Sequence, residues 1–177
     1  MKKALIIFIL MLLCFSFLCS EEAPMRTNVF GINPLGLLFK LYMGEYGMII
    51  NNGANEINIP FLYWHPISNS DEDMLLMGIG ARYRFYKHKN GKGPFYGPTI
   101  SVSKVDWKIE DDKIDVVAFS PGAEIGFRWA WNSGFTLAPA IGASYTFGKV
   151  ETSDGTEADF VSSDLSFSYG LGLAIMW

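Results

Sequence analysis

At 177 residues the chain has room for one domain of ordinary size; half of its residues are apolar and 15% are aromatic. A formal net charge of −4 leaves no basic footprint for nucleic acid. Both cysteines, Cys14 and Cys19, precede residue 21, so the remainder can form no disulfide, thiolate nucleophile or cysteine metal site.

The chain begins Met1-Lys2-Lys3, and Ala4 to Leu18 follows as an apolar run. A charged start, an apolar core and then small residues spell a secretory signal peptide, with the cut expected after Ser20. The apolar core is short for a membrane-spanning helix, which needs about 20 residues. The expected organisation is a signal peptide over residues 1–20 and one domain over residues 21–177. Lipidation of Cys19 is the alternative, although a lipoprotein signal wants a small residue where Leu18 stands.

Beyond residue 20 no stretch has a long helical period. Alternating runs are instead separated by Gly, Asn, Asp and Ser clusters, as in a meander of strands. A first run, about Asn28 to Met43, sets Leu35, Leu37, Phe39, Leu41 and Met43 against Gly36, Leu38, Lys40 and Tyr42. Gly44-Glu45 starts a second run toward the turn Asn51–Gly53. The third sets Ile57, Ile59, Phe61 and Tyr63 against Glu56, Asn58, Pro60, Leu62 and Trp64. A polar loop, Ser68 to Asp73, follows. The fourth sets Met77, Ile79, Ala81, Tyr83 and Phe85 against Gly78, Gly80, Arg82, Arg84 and Tyr86, and ends at the turn Lys89–Gly93. The fifth spans about Pro94 to Trp107. The sixth sets Val117, Phe119, Ile125, Phe127 and Trp129 against Ser120, Gly122, Glu124, Gly126 and Arg128. The seventh sets Phe135, Leu137, Ile141, Tyr145 and Phe147 against small residues; Gly148 to Asp159 reads as a polar loop before the closing strand.

These runs predict an all-β fold: an eight-stranded antiparallel up-and-down transmembrane β-barrel after an N-terminal signal peptide. Turns after even-numbered strands are compact, while three of the four connections after odd-numbered strands are long and acidic. The less apolar face is Gly, Ala, Ser and Thr with few charges, which suits a crowded interior; the bulky face then suits lipid. Phe85, Tyr86, Phe95, Tyr96, Trp129, Trp131, Phe135 and Trp177 are expected as an aromatic girdle at the short-turn end. Pro60, Pro98, Pro121 and Pro139 fall inside strands and predict bulges or weakened pairing. A soluble lipocalin-like carrier alternates as well, with the apolar face turned inward.

The last strand carries Tyr169, Leu171, Leu173, Ile175 and Trp177 on one face and small residues on the other. This ending resembles the assembly signal of bacterial outer-membrane barrels, and implies the barrel-assembly machinery as a partner during biogenesis. Asn33-Pro34-Leu35-Gly36-Leu37-Leu38-Phe39 resembles the first strand of a family of small bacterial outer-membrane barrels of uncharacterised function. Phe95-Tyr96-Gly97-Pro98, Gly126-Phe127-Arg128-Trp129 and Gly134-Phe135-Thr136-Leu137 follow in the order similar families show. The resemblance implies an outer-membrane location, with the OmpX and OmpA membrane domains as architectural relatives, and supplies no catalytic residues.

Chemistry is sparse. Lys40, Glu45, Glu56, Arg82, Arg84, Glu124 and Arg128 fall on the inward face and are expected as a polar network in the lumen. Charges in a narrow interior must pair to be tolerated, and Glu124 is expected to pair with Arg82 or Arg128. Lys40 and Glu45 are expected nearer the outer end and the other five toward the periplasmic half. His65 and Ser68 are three residues apart with Pro66 between them, which departs from the two-residue spacing of barrel deacylases. No metal motif or phosphate-binding loop is present, and no cofactor is expected. The acidic outer segments hold Asp71, Glu72, Asp73, Asp106, Glu110, Asp111, Asp112, Asp115, Glu151, Asp154, Glu157 and Asp159. The expected role is structural or surface interaction in the outer membrane, against lipid and lipopolysaccharide, without catalysis. A narrow ion channel comes second, then a lipid A-modifying enzyme or the soluble carrier.

Overall fold

The computed structural model describes residues 26–68, 72–109, 112–152, 157–161 and 165–177. The expected signal peptide, with Cys14 and Cys19, lies outside them. The described elements are β1 (Asn28–Ile32), α1 (Pro34–Leu37), β2 (Leu41–Ile50), β3 (Asn55–Ser68), β4 (Glu72–Tyr86), β5 (Gly93–Ile109), β6 (Asp112–Ala130), β7 (Phe135–Ser144), β8 (Phe147–Thr152), β9 (Glu157–Val161) and β10 (Ser166–Met176).

Antiparallel pairing runs from β1 through β2, β3, β4, β5 and β6 to β7 and β10, and β10 returns to β1. β7 and β8 keep one register along β6 and form a single wall, and β9 prolongs the wall of β10. The result is a closed barrel of eight antiparallel walls. Closure is sealed at the chain's end: Thr27 N and Asn28 N donate to Trp177 O over 3.0 and 3.1 Å, and Trp177 N donates back to Asn28 O over 3.1 Å.

Residues of one parity point inward because a strand alternates. Val29, Ile49, Ala130, Ala174 and Met176 form a small apolar core at the short-turn end. Two neighbouring turns are pinned there. Asn51 and Asn52 take φ of 53° and 54°, Asn90 and Gly91 take 71° and 63°, and Gly91 N donates to Gly53 O over 2.9 Å. Asn and Gly tolerate this left-handed backbone where other residues are strained.

Several expectations change. The first reversal comes earlier than Gly44: β1 ends at Ile32, α1 makes one helical turn, and Lys40 takes a left-handed φ of 56° before β2 begins. Pro34 ends the strand because it has no N–H to donate and fixes a φ compatible with a helix start. Lys40 therefore sits exposed in the connection, outside the interior network. Far-end connections are also shorter than expected. β5 and β6 stay paired out to Ile109 and Asp112, and the segment read as a polar loop from Gly148 supplies β8 and β9. Of the acidic loop residues, Glu72, Asp73, Asp106, Asp112, Asp115, Glu151, Glu157 and Asp159 lie in strands, while Asp71, Glu110, Asp111 and Asp154 are outside the described residues.

Of the two outcomes expected at the prolines, weakened pairing occurs and bulges do not. Strand pairing skips Ile59–Pro60 and Gly97–Pro98 on the β4 side, yet the same register resumes beyond each. The register shift between β3 and β4 falls instead between Trp64 and Ile67, around His65-Pro66. Two members of the expected aromatic girdle, Tyr86 and Phe95, point inward and are buried. Phe85 and Tyr96 stack outside with ring centroids 5.4 Å apart, and Trp131 lies 5.3 Å from Phe135.

Candidate functional site

The barrel interior is crossed by a charged girdle drawn from β2, β3, β4 and β6. Glu56 is fully buried and takes a bidentate pair from Arg128, with Nη1 at 2.6 Å and Nη2 at 3.2 Å. Tyr86 Oη donates to Glu56 Oε2 over 2.5 Å, and Asn58 Nδ2 donates to Oε1 over 3.0 Å. Arg84 holds three carboxylates: Nε donates to Glu124 at 2.7 Å, Nη1 to Glu56 at 3.2 Å and Nη2 to Glu45 at 3.2 Å. Arg82 reaches Glu45 at 3.3 Å and stands 3.8 Å from Glu124. Three Arg and three Glu thus neutralise one another, the condition under which buried charge is tolerated. Aromatic faces complete the packing, with Arg84 4.8 Å over Phe95 and Arg128 5.3 Å over Tyr86.

The opposite walls supply space. Inward residues on β7 and β10 are Ala138, Ala140, Gly142, Gly170 and Gly172, so the long girdle side chains meet almost none of comparable size. Gly47 shows the constraint: a Cβ there would stand 2.5 Å from Glu56 Oε1.

Sequence reading placed seven residues in this network, and the structure brings six of them together. Lys40 is the exception. Glu45 joins the girdle itself and does not lie apart at the outer end, because the earlier reversal moves it five residues into β2. Glu124 pairs chiefly with Arg84, and Arg128 belongs to Glu56. Tyr86, Phe95 and Asn58 were missed as partners. Tyr86 shares parity with Arg82 and Arg84 on one strand, and that signal was available.

Above the girdle lies a cavity of about 350 Å3, lined by Thr99, Ser101, Ser120, Ser144 and Ser168, with Arg82 and Glu124 among its walls. Beyond it the polarity of the wall inverts. On β5 the outward residues change from Tyr96, Ile100 and Val102 to Lys104, Asp106 and Lys108, while the inward ones change from Thr99, Ser101 and Ser103 to Val105 and Trp107. On β6 the same switch separates Val117 from Asp115 outside, and Ser120 from Val116 inside. Outside, Asp106, Asp115 and Glu151 fall side by side on three adjacent strands. Lys104 lies 2.5 Å from Asp106, Lys113 lies 2.8 Å from Asp115, and His65 Nε2 lies 2.7 Å from Asp73.

On β10, Tyr169, Leu171, Leu173 and Ile175 share the outward face, and Trp177 follows at the chain end; Tyr169, Ile175 and Trp177 are 84%, 60% and 57% exposed. No group of three or more His, Cys, Asp or Glu suited to a metal ion occurs among the described residues. The fold and site define a class, a closed eight-walled antiparallel barrel with a salt-bridged interior and an apolar outer belt. No protein-family model, curated protein or solved structure matches this chain.

Proposed function

We propose that this chain is a small outer-membrane barrel of a diderm bacterium, exported by a cleaved signal peptide, with a structural or surface-interaction role and no catalysis. The observation that carries the reading is the distribution of polarity. Phe30, Ile59, Phe61, Ile79, Ile100, Phe119, Ile125, Ile141 and Ile175 stand between 40% and 60% exposed around the barrel, while the charges at their level point inward. In water this costs free energy on both faces; in a bilayer both faces are favourable, and closure leaves few backbone groups unpaired. The short-turn end with its outer aromatics is then periplasmic, and the charged ends of β5, β6 and β8 rise above the lipid among lipopolysaccharide headgroups. The resemblance to small outer-membrane barrels agrees with this reading, including recognition of Trp177 and its strand by the assembly machinery.

The charged hairpin ends present the interaction surface, since loops and strand tips on a rigid barrel are free to vary. The girdle favours a closed lumen over a channel: Arg84, Arg128 and Glu56, paired with one another across the interior, have side chains only 0–3% exposed. Cell fractionation combined with gel migration of boiled and unboiled samples tests the reading. Recovery in the outer membrane with a heat-dependent mobility shift is expected. Soluble periplasmic recovery without a shift would replace it with the carrier.

A further inference from the structure

Positive charge gathers on one turn of the short-turn end. Between β4 and β5 the chain reads Lys87-His88-Lys89-Asn90-Gly91-Lys92; Lys87, His88 and Lys89 are exposed and Lys92 is half-buried. The neighbouring turns, Asn51–Gly53 and Asn132–Gly134, carry no charged side chain. Among the described residues of this end, 26–28, 49–55, 85–95, 129–136 and 175–177, there is no Asp or Glu. The first carboxylate side chain inward is Glu56, which is fully buried and held by Arg128 and Arg84. Arg26 donates to backbone carbonyls, those of Met176 and Asn132. The three lysines therefore have no ion-pair partner among the described residues, unlike Lys104 and Lys113, which lie beside Asp106 and Asp115.

The turn is pinned in place. Gly91 N donates to Gly53 O over 2.9 Å, Lys87 N donates to Pro94 O over 3.0 Å, and a Cβ on Gly91 would stand 2.6 Å from Ile49 Cδ1. The His88 ring lies against Gly93, its Cδ2 2.6 Å from where a Cβ would stand, and Gly93 takes a φ of 84°. The lysines thus share one preformed platform. Immediately inside it the outer wall is aromatic. Phe85 and Tyr96 are cross-strand partners, stacked and 38% and 61% exposed, and Tyr83 packs edge-on against Phe85 with ring centroids 4.9 Å apart. Lys87 follows Phe85 by two residues. Pro94 pairs with Phe127, whose ring lies 4.7 Å from Trp129. Aliphatic side chains continue the wall, with Ile79, Ile100 and Ile125 all exposed. One strip on β4, β5 and β6 therefore runs from charged rim through aromatic to aliphatic.

We propose that this strip binds an anionic phospholipid of the periplasmic leaflet, with the headgroup phosphate on Lys87, Lys89 and Lys92 and the acyl chains along Phe85, Tyr96, Ile100 and Ile125. Charge selects the head: ammonium groups gathered on one turn favour a headgroup of net negative charge over a zwitterion, whose own cation offsets its phosphate. Height selects lipid over a soluble anion: interfacial aromatic side chains sit at headgroup level, so charges just beyond Phe85 and Tyr96 are level with the phosphates. A preformed turn loses little freedom on binding. The uncharged neighbouring turns confine the site to the β4–β5 side of the rim. This inference rests on the membrane reading above.

Native mass spectrometry of the membrane-extracted protein in detergent micelles tests it, with phosphatidylglycerol and phosphatidylcholine of identical chains as probes. Phosphatidylglycerol is expected to bind at least about tenfold more tightly. A Lys87→Gln/Lys89→Gln/Lys92→Gln variant should lose that preference. Lys104→Gln/Lys108→Gln/Lys113→Gln removes the same charge from the opposite end of the barrel and should keep it. Glycerophosphoglycerol, the same headgroup without chains, should not displace the lipid at equal concentration. Heat-modifiable migration identifies the variants that remain folded. Equal binding of the two lipids by folded wild type would overturn the site, and so would a preference that survives in the folded Lys87/Lys89/Lys92 variant. Equal loss in both variants would reduce the preference to net charge and overturn the site as well. Displacement by glycerophosphoglycerol would give the turn to a soluble anion instead. Absence of the protein from the membrane fraction would remove the membrane reading itself, which the fractionation reports separately.

Discussion

Arg84 reaches Glu124 across an intervening strand. Their side chains meet at 2.7 Å although β5 lies between β4 and β6. Gly97 makes this reach available, since it pairs with Glu124 and has no side chain to stand between them. Gly142 flanks Glu124 on the other side. One Glu between two glycines leaves space for a guanidinium from a strand further round the barrel.

Gly97→Val should therefore be among the most damaging small changes in the chain. A Cβ there would collide with the backbone carbonyl of Tyr83. Overpacking of this kind costs about 1–3 kcal/mol or more, so loss of heat-modifiable migration is expected. Gly170→Ala is the contrast, because its nearest neighbour would be 3.7 Å away. It should refold with a midpoint in urea equal to or slightly above wild type.

Glu56→Gln should destabilise more than Arg82→Gln. The first leaves Arg128, with a side chain 0% exposed, short of its paired charge; breaking such a pair costs about 3–5 kcal/mol. Arg82 is partly solvated and makes only long contacts, so its loss is expected to cost less than half as much. Tryptophan-monitored urea unfolding of the two variants in lipid vesicles gives the order. The reverse order would mean that Arg82 and not Glu56 is the hub.

Ile125→Lys separates the membrane reading from a soluble barrel. Ile125 is 55% exposed, so in water the change should be neutral or favourable. Facing lipid near mid-wall it should cost about 2–4 kcal/mol and reduce recovery in the outer membrane. Equal yield and unchanged unfolding would count against a lipid-facing belt.

The charged hairpin should loosen at both pH extremes while the barrel body stays closed. Hydrogen bonding from Lys113 is the main cause holding the Asp115 carboxyl below its ordinary value. That contribution is present above the unfolded pKa, about 3.9, and is lost as pH falls through the lower folded value. Lys104 is held above its ordinary value, first by its bond to Asp106. Its contribution is present below about 10.4 and is lost as pH rises through the higher folded value. Amide exchange in residues 104–117, compared with residues 122–130, reads this directly. Uniform exchange across both segments would refute it.

Eight walls, their alternation and the small-residue interior were legible in the sequence, because a strand's faces follow from a period of two that needs no tertiary information. Parity alone put Glu45, Glu56, Arg82, Arg84, Glu124 and Arg128 on the inner face. It also put Lys40 there, and failed, because alternation continues through Asn28 to Met43 while the chain actually reverses at Pro34. A period says which face a residue takes and not where a strand ends. Partner choice was equally out of reach: Arg84 finds Glu124 and Arg128 finds Glu56 through the stagger of the closed barrel, a property of all eight walls together. The short ladder between β1 and β10, from Ile32↔Leu173 to Val29↔Met176, joins strands far apart in the sequence. Local sequence determined which residues look inward. Only closure decided which charges meet, because hydrogen-bond register between distant strands sets it.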